Sequence, residues 1–462
     1  MAIEKNCLWH WVSASAEQSE KWIWGFDAAV CLNRLSSSSA IPVDLFSARG
    51  RSILIRTKSQ ISAALALVEL DGIARKLVLC PPDLSAAQIQ WVASAASINL
   101  IVCDQSVTDT RAFGIECVTL PPDSFTPIEH RPEASERTEW LLLTSGTTGS
   151  PKIVVHTLST LTEAIAGRPS SGLSAVWSTF YDIRRYGGLQ IFLRAMLGNG
   201  SMVLSDDGET TTAFLDRART LGVTHISGTP SHWRRALMCR DVGKFSPSYV
   251  RLSGEIADQP VLDHLHQAFP QAGVAHAFAS TEAGLAFEVT DGLAGFPADI
   301  VECKNDSVEM KVLDGTLRIK SRRTALRYIV DPPRSISDDD GFVDTNDLVE
   351  LSGERYHFIG RRDGVINVGG LKVHPEEVEA AINLHPRVRM CRVKGRKNPV
   401  TGAVVTADVI AEIGEEDTPQ NWDLLKMEIM KLCAARLPRH KIPAAIRLVP
   451  SLEIGPAGKL GR

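Results

Sequence analysis

The segment Leu141-Leu-Leu-Thr-Ser-Gly-Thr-Thr-Gly-Ser-Pro-Lys152 joins an apolar run to a loop of hydroxyl-bearing residues, glycines and one lysine. The apolar run predicts a buried strand that delivers the loop. Glycines let backbone N–H groups surround phosphate oxygens, hydroxyls add donors and the lysine adds positive charge. The G-x-x-x-x-G-K-[ST] pattern of a Walker A loop is absent. By composition alone, a phosphate-binding loop and a plain Ser/Thr/Gly surface loop explain the segment equally well.

The size and charge of the chain exclude several classes of protein. Its 462 residues predict at least two domains, and 44% hydrophobic with 23% charged residues is typical of a globular chain with a large core. The net charge of −4 argues against a protein that coats nucleic acid or an anionic membrane. No apolar run is long enough for a membrane span, and the first residues do not resemble a secretory signal. We therefore expect a cytoplasmic protein.

The cysteines and histidines give no sign of a metal or disulfide framework. The nine cysteines are scattered, their number is odd, and no pair has C-x-x-C spacing. We expect reduced thiols. His264 and His266 lie two apart in a predicted helix and would point to different sides.

Periodicity along the chain predicts an α/β fold. Short β-branched runs alternate with helical stretches between Ser52 and Leu204, which favours parallel α/β layering. Two hairpins follow, one turning at Asp314-Gly315 and one near Ser352-Gly353. From Arg361 onward there are 17 Lys and Arg against 12 Asp and Glu, although the whole chain is acidic. We expect domains at 1–360 and 361–462, the second being small, basic and α+β.

Five segments in order resemble the motifs of the adenylate-forming superfamily, which contains acyl-CoA synthetases, luciferases and peptide-synthetase adenylation domains. The loop at 141–152 is similar to its phosphate-binding signature. The four others are Phe278-Ala-Ser-Thr-Glu-Ala-Gly284, Gly341-Phe-Val-Asp-Thr-Asn-Asp-Leu348, the hinge-like segment from Gly360 to Glu379, and Pro456-Ala-Gly-Lys-Leu-Gly-Arg462. One such match would be weak, but five in the same order strongly indicate this superfamily.

The resemblance implies a large N-terminal domain of layered sheets and helices with a small β-barrel-like subdomain, and a small mobile C-terminal domain. It also implies a reaction in which a carboxylate attacks the α-phosphorus of ATP, giving an acyl-adenylate and pyrophosphate. Both reactants are anionic, so the site must neutralise charge and align them.

The resemblance assigns roles to individual residues. It implies Lys459 and Thr281 as catalytic residues, with Glu282 both catalytic and the Mg²⁺ ligand. It implies that Phe278 stacks on adenine, whereas Asp347 and Arg361 hold the ribose. The expected phosphate-binding residues are Thr144, Ser145, Gly146, Thr147, Thr148, Gly149 and Lys152.

A second half-reaction is implied as well. The small domain rotates about a hinge, here Asp363, and presents the face around Gly370 to the thiol of coenzyme A or of a carrier protein's phosphopantetheine. The basic cluster formed by Arg387, Arg389, Arg392, Lys394, Arg396 and Lys397 would meet the phosphates of coenzyme A or an acidic carrier protein, or would simply be a solvated face.

The acid's pocket should be lined by Tyr181, Arg185, Gly254, Ala277 and Gly284. Arg185 stands where the family often places a histidine, and either a polar substrate group or Asp182 should neutralise its charge. The sequence departs from the family's pattern at Asn346 and Ala279, where glycine is usual.

Three functions therefore compete: a coenzyme A ligase for a small carboxylic acid, an adenylation enzyme that loads a carrier protein, and a non-catalytic nucleotide-binding relative. The complete catalytic set argues against the third. We favour the first, although only the thiol acceptor would separate it from the second.

Overall fold

The computed structural model describes residues 7–16, 20–42, 44–104, 114–121, 124–144, 151–165, 175–302, 307–329, 334–412, 419–455 and 457–461. Its helices are α1 (Leu8–Ala16), α2 (Gln60–Leu70), α3 (Ala86–Ala95), α4 (Leu158–Thr162), α5 (Tyr186–Leu197), α6 (Thr211–Thr220), α7 (Pro230–Leu237), α8 (Gln259–Ala268), α9 (Asp299–Glu302), α10 (Pro375–Asn383) and α11 (Pro419–Arg436).

The strands of the first half of the chain are β1 (Trp22–Trp24), β2 (Ala29–Cys31), β3 (Ser38–Ser39), β4 (Ser52–Arg56), β5 (Lys76–Leu79), β6 (Leu100–Asp104), β7 (Cys117–Leu120), β8 (Thr126–Pro127), β9 (Glu139–Thr144), β10 (Lys152–Thr157), β11 (Val176–Thr179), β12 (Ser201–Leu204) and β13 (His225–Gly228). Those of the second half are β14 (Tyr249–Ser253), β15 (Gly273–Ser280), β16 (Gly284–Val289), β17 (Phe296–Pro297), β18 (Val308–Leu313), β19 (Thr316–Ser321), β20 (Arg327–Ile329), β21 (Val343–Ser352), β22 (Arg355–Arg361), β23 (Ile366–Val368), β24 (Leu371–Val373), β25 (Val388–Asn398), β26 (Gly402–Ala411) and β27 (Ala445–Leu448).

Two large sheets carry the N-terminal part. In the described residues one has the order β16-β15-β14-β13-β11-β12-β1-β2 and the other β20-β10-β9-β5-β4-β6-β7. Helix α2 is buried from Ile61 to Leu70, and it shares one apolar core with α5 and with strands of both sheets. A helix that is apolar all round packs on more than one side, so helices and sheets alternate in layers. This is the predicted α/β architecture.

A third sheet, all antiparallel, lies after the α/β part and has the order β17-β22-β21-β19-β18 in the described residues. Both predicted hairpins belong to it. Asp314 and Gly315 have positive φ values of 52° and 74° at the first turn, as a two-residue hairpin turn requires. Its five strands follow β16 in the chain, where we expected the small β-barrel-like subdomain.

The last part of the chain has an apolar core of its own, built from residues between Ile366 and Leu437 on β23 to β26, α10 and α11. Helix α10 begins with Pro375 at its first turn, followed by Glu376 and Glu377, as predicted from the sequence. Strand β22 ends at Arg361, where we placed the start of the small domain; the boundary itself stays a prediction.

Candidate active site

The hairpin of β9 and β10 carries the predicted phosphate loop. Thr144 pairs with Lys152 where the two strands end and begin, and the Lys152 side chain is exposed. The strand predicted from the apolar run is β9, buried from Trp140 to Leu143. The predicted phosphate contacts Ser145, Gly146, Thr147, Thr148 and Gly149 lie outside the described residues. Their roles, with those of Thr144 and Lys152, stay predictions.

His156 connects this hairpin to the Thr281–Glu282 turn. It lies on β10, is fully buried, and its Nε2 is 2.7 Å from the carbonyl oxygen of Thr281. Its Nδ1 is 2.9 Å from the hydroxyl of Thr160. A carbonyl cannot donate, so Nε2 carries the proton and Nδ1 accepts. Burial lowers the pKa of His156 to about 4, which keeps the ring neutral near pH 7.

Thr281 and Glu282 occupy the turn between β15 and β16, not the start of a helix. The carbonyl oxygen of Glu282 accepts from Ala325 N–H at 2.9 Å. Its carboxylate oxygen Oε1 accepts from the Tyr328 hydroxyl at 3.1 Å. A carboxylate is a suitable ligand for Mg²⁺, and no larger group of metal-ligating side chains occurs among the described residues. The donor chemistry therefore fits the expected role of Glu282.

Phe278 lies on β15 beside a register shift between Phe278 and Ala279. Its ring is stacked with the ring of Phe287 at 5.8 Å and with that of Phe358 at 5.0 Å between centroids. These rings join β15, β16 and β22, so Phe278 has a packing role. Stacking of Phe278 on adenine stays a prediction.

Asp347 and Arg361 are register partners on β21 and β22, and Arg361 Nη1 lies 3.8 Å from Asp347 Oδ1. Burial raises the pKa of Asp347 to about 6, although Arg361 and Lys459 oppose the shift. Arg361 also bonds Asp363, the predicted hinge, at 3.1 Å. The two residues predicted to bind the ribose and the predicted hinge residue thus form one cluster.

Asn346 has a positive φ of 65°, a conformation that glycine adopts freely and asparagine tolerates better than most residues. The departure from the family's glycine therefore keeps the backbone turn that places Asp347.

Lys459 lies in a terminal loop that folds back on itself. Ile454 and Leu460 form an isolated antiparallel bridge, and Gly455 N–H donates to the Lys459 carbonyl at 2.7 Å. A Cβ placed on Gly254, which has φ +86°, would lie 3.7 Å from Lys459 Cε and 3.7 Å from the Tyr181 hydroxyl. The structure therefore brings Lys459 together with two predicted pocket residues.

The Tyr181 hydroxyl donates to the Ser253 carbonyl at 2.6 Å, and Tyr181 is buried. Ala277 is buried on β15, opposite Ser253 on β14. Tyr181, Gly254 and Ala277 therefore cluster where β14 and β15 end.

The structure does not support two of the predicted pocket residues. Arg185 forms an ion pair with Asp83, and Asp182 instead pairs with Arg184, whose Nε lies 2.8 Å from Asp182 Oδ1. The expected neutralisation of Arg185 by Asp182 is thus wrong, because the adjacent arginine reaches that carboxylate. Gly284 packs against Arg323: a Cβ there would lie 2.6 Å from Arg323 Cβ and 2.7 Å from its carbonyl oxygen. Its glycine serves a close backbone approach rather than a pocket wall.

Arg251, which the sequence analysis did not single out, is a buried cation on β14. Val250 and Leu252 point into an apolar core, so Arg251 faces the opposite side with Ser253. Its side chain is 6% exposed, and its Nε lies 3.9 Å from Glu288 Oε2. The guanidinium groups of Arg194, Arg251 and Arg323 all act on the buried Tyr186 hydroxyl, whose pKa is raised by burial despite them. The charges of these three arginines therefore favour the ionised form of the Tyr186 hydroxyl, and Arg251 is also paired with Glu288.

The basic cluster of the small domain is partly neutralised. Arg392 and Lys394 both bind Asp408, at 3.0 and 2.9 Å, and Arg389 pairs with Glu412. Burial would raise the pKa of Asp408, but Arg447, Lys394 and Arg392 outweigh it and hold that pKa far below its usual range. Arg396 and Lys397 are exposed. Gly370 has φ +88° and open space around it.

Comparisons with known proteins agree with this arrangement. Residues 54–324 match the AMP-binding enzyme family, and residues 377–459 match the AMP-binding enzyme C-terminal domain. The 2-succinylbenzoate–CoA ligase of Listeria monocytogenes serotype 4b is 26% identical over 402 residues, covering 82% of this chain and 80% of the relative. The ligase of the same name from Bacillus anthracis is 24% identical over 444 residues, covering 90% and 87%.

Two solved structures share the fold. An anthranilate CoA ligase in complex with anthranoyl-AMP has a TM-score of 0.81 at 17% identity, covering 99% of this chain and 96% of its own. The o-succinylbenzoate CoA synthetase of Bacillus subtilis, in complex with its acyl-adenylate, has a TM-score of 0.72 at 20% identity, covering 97% and 96%.

The chain belongs to the AMP-binding enzyme family of the adenylate-forming superfamily. The predicted family and fold are confirmed, and so is the predicted activity: ATP-dependent activation of a carboxylic acid and its transfer to coenzyme A by an AMP-forming acid–thiol ligase. No described helix is long and apolar enough to cross a membrane.

Proposed function

We propose that the acid substrate is an aromatic carboxylic acid with a second anionic or strongly polar substituent, and that 2-succinylbenzoate is the first such acid to test. The relatives' printed substrate supports the aromatic class. The observation that supports a second anionic or polar substituent is the buried Arg251, which lies on the same face of β14 as Ser253.

Geometry sets the size of this acid. Lys459 lies beside Gly254, directly after the end of β14, and in its proposed role it would contact the reacting carboxylate there. Arg251 is two residues deeper on the same face as Ser253, about 6.6 Å along the strand. An aromatic ring spans that interval. The two ends of the substrate would then meet Lys459 and Arg251, and the ring would lie between them.

Charge favours the same substrate class. A buried arginine is destabilising unless it is paired. The Glu288 carboxylate is shared: one oxygen faces Arg251, and the other accepts a hydrogen bond from the Tyr249 hydroxyl. The Ser227 side chain, the register neighbour of Arg251, is 1% exposed, and its hydroxyl has no hydrogen-bond partner. An anionic group in the pocket would pair with the Arg251 guanidinium and accept a hydrogen bond from the Ser227 hydroxyl.

The reaction follows from the residues around the nucleotide. Asp347 and Arg361 would hold the ribose, and Glu282 would hold Mg²⁺, which offsets phosphate charge. Lys459 would then bridge the attacking carboxylate and the α-phosphate as pyrophosphate leaves. Rotation at Asp363 would remove Lys459 and bring Gly370 to the site, where the coenzyme A thiol displaces AMP. The enzyme would act in the cytoplasm, where ATP and coenzyme A are supplied.

Pyrophosphate release across a panel of acids tests this proposal. The panel contains 2-succinylbenzoate, anthranilate, benzoate and a long fatty acid, each without and with coenzyme A or a phosphopantetheinylated carrier protein. We expect 2-succinylbenzoate to exceed benzoate, and coenzyme A to be the acceptor. A preference for the fatty acid, or thioester formation on the carrier protein alone, would contradict the proposal.

Arg251→Met tests the proposed contact, because it keeps length and removes charge. We expect the preference for 2-succinylbenzoate over benzoate to fall about tenfold or more, the effect of ~1.4 kcal/mol, and Arg251→Lys to keep part of it. Arg217→Met is the matched control, since Arg217 pairs with Glu209 and the carbonyls of Gly25 and Leu204. If the folded Arg251→Met protein keeps the wild-type preference for 2-succinylbenzoate over benzoate, Arg251 does not contact the substrate.

A further inference from the structure

The peptide groups on both sides of Lys459 are bound by the large domain. The Gly458 carbonyl accepts from the Thr229 hydroxyl at 2.5 Å. The Leu460 N–H donates to Glu255 Oε1 at 2.9 Å. These two bonds hold the backbone immediately before and after the lysine.

Glu255 and Thr229 are also bonded to the N-terminus of α7, through atoms or lone pairs that the tail does not use. Thr229 is the N-cap of α7, and its hydroxyl oxygen accepts from His232 N–H at 3.0 Å. The second carboxylate oxygen of Glu255 accepts from Ser231 N–H at 3.0 Å. Each side chain therefore uses one bond to satisfy the helix end and offers another to the tail.

His232 supplies the surface on which Gly458 rests. Its ring is stacked on Phe180, with centroids 5.2 Å apart and planes at 16°. Burial lowers the pKa of His232 to about 3, so the ring is neutral beside the lysine. A Cβ on Gly458 would overlap the ring atom Cε1, and Gly458 has φ +74°. Both the space and the backbone conformation require glycine.

We propose that Thr229, His232 and Glu255 form a docking site for the tail, and that all three are positioning residues for Lys459. This inference rests on the role proposed for Lys459 in adenylate formation. A lysine side chain loses up to about 2 kcal/mol of rotamer entropy when it is ordered. When the backbone is fixed on both sides, the Lys459 side chain has fewer accessible conformations, and those that remain lie beside Gly254.

The docking site should matter for the first half-reaction alone. Lys459 must be docked while the acyl-adenylate forms, whereas thioester formation takes place after the small domain has rotated. Loss of docking therefore slows acyl-adenylate formation and spares thioester formation from a supplied acyl-adenylate. A merely structural role would affect both steps.

Two glycines of the tail provide the sharpest test. Gly458→Ala introduces the overlap with His232, whereas Gly461 has no neighbour within 4 Å of a Cβ and a conformation open to any residue. With 2-succinylbenzoate, or the acid that the panel ranks first, we expect Gly458→Ala to slow single-turnover adenylate formation at least about tenfold, or ~1.4 kcal/mol. Thioester formation from the purified acyl-adenylate should stay within about twofold, and Gly461→Ala should resemble the wild type in both.

The hydroxyl of Thr229 gives an independent test. Thr229→Val removes both the cap and the tail contact, whereas Thr210→Val removes only the comparable N-cap of α6. We expect Thr229→Val alone to slow adenylate formation, about fivefold for one hydrogen bond, and Thr229→Ser to restore it. Equal slowing by Thr210→Val, or equal loss of both half-reactions in Gly458→Ala, would overturn the docking site.

Lys459→Ala separates this inference from the role of Lys459. If Lys459→Ala abolishes adenylate formation while Gly458→Ala and Thr229→Val do not slow it, the docking site is wrong and the role stands. If Lys459→Ala forms adenylate at the wild-type rate, the proposed role fails, whatever the docking variants do.

Discussion

The Nε2 atom of His156 lies 2.7 Å from the carbonyl oxygen of Thr281. This bond crosses from the strand after the phosphate loop to the turn that carries Thr281 and Glu282. Two segments far apart in sequence are thereby held in one geometry by a neutral, buried imidazole.

Replacing His156 tests this link. His156→Phe removes the donor from the part-buried Thr281 carbonyl, so we expect a loss of about 1 to 3 kcal/mol in the free energy of unfolding and slower adenylate formation. His156→Gln can place an amide N–H near the same position and should recover part of both. Urea unfolding and single-turnover adenylate formation measure the two effects. Equal losses in both variants would contradict the role of the bond.

The raised pKa of Asp347 predicts how ATP binding depends on pH. Because the pKa of Asp347 is about 6, its carboxylate, which we expect to accept hydrogen bonds from the ribose hydroxyls, becomes protonated as the pH falls through 6. We expect KM for ATP to rise by up to about tenfold per pH unit below that point. Asp347→Asn should have a high KM that lacks this rise. An identical pH profile in the variant would exclude Asp347.

The same shift has a consequence for stability. A carboxyl group whose pKa is raised by folding binds a proton more tightly in the folded state, so its ionised form opposes folding at neutral pH. We therefore expect Asp347→Asn to melt at a higher temperature than the wild type at pH 7, with a smaller difference at pH 4. A lower melting temperature at pH 7 would show that its contacts with Arg361 and Lys459 outweigh burial.

Lys459→Ala should reduce adenylate formation by about 10² to 10³, the usual effect of removing a group that stabilises transition-state charge. The side chain is exposed and leaves the apolar cores untouched, so the melting temperature should hardly change. Thioester formation from supplied acyl-adenylate should survive. Stopped-flow release of pyrophosphate measures the first step, and equal loss of both steps would count against domain rotation.

The adjacent arginines Arg184 and Arg185 should behave differently. Arg184 is 2% exposed and bonds Asp182 and the Thr57 carbonyl, so Arg184→Leu leaves the part-buried Asp182 carboxylate without its cation and should cost up to about 3 kcal/mol. Arg185 pairs with Asp83 at a more exposed position, so Arg185→Leu should cost at most about 1 kcal/mol. Arg185→Leu should also keep the order of acid preference. A changed order of acid preference would show that Arg185 does contact the acid substrate.

Gly370→Ala should show the reverse of the Gly458→Ala profile. Its Cβ would meet no atom within 4 Å, so adenylate formation should fall only slightly. Once the domain has rotated, the methyl group would narrow the path of the pantetheine arm and slow thioester formation. Gly402→Ala is the matched control, since Gly402 also has positive φ and open space. Equal effects of both variants on thioester formation would point to backbone strain alone.

The sequence predicted what depends on periodicity and on short motifs. The β9 strand, the two hairpins and the start of α10 follow from local patterns, and the structure has each of them. Thr281, Glu282 and Asp347 could be selected as candidate site residues because each lies within a short contiguous motif. Such features need no knowledge of what lies beside them in space.

The sequence could not predict partners that tertiary packing chooses. Asp182 is two residues from Arg184 and three from Arg185, and only the fold shows that Asp182 pairs with Arg184 while Arg185 pairs with Asp83. Arg251 reads as one polar residue in an apolar strand. Thr229-Pro230 predicts a helix start, yet nothing in the sequence shows that its hydroxyl meets Gly458, more than 200 residues later.

The small domain's separate apolar core has a consequence for turnover. Its core residues form a cluster separate from the large domain's cores. The proposed rotation would therefore exchange contacts such as the part-buried hydrogen bond from Asn383 to Asp258 without opening any of these cores. The small domain would then rotate through solvent as a rigid body about its hinge. Its speed should follow the viscosity of the medium, so the overall rate should fall in glycerol when rotation, rather than chemistry, limits the cycle.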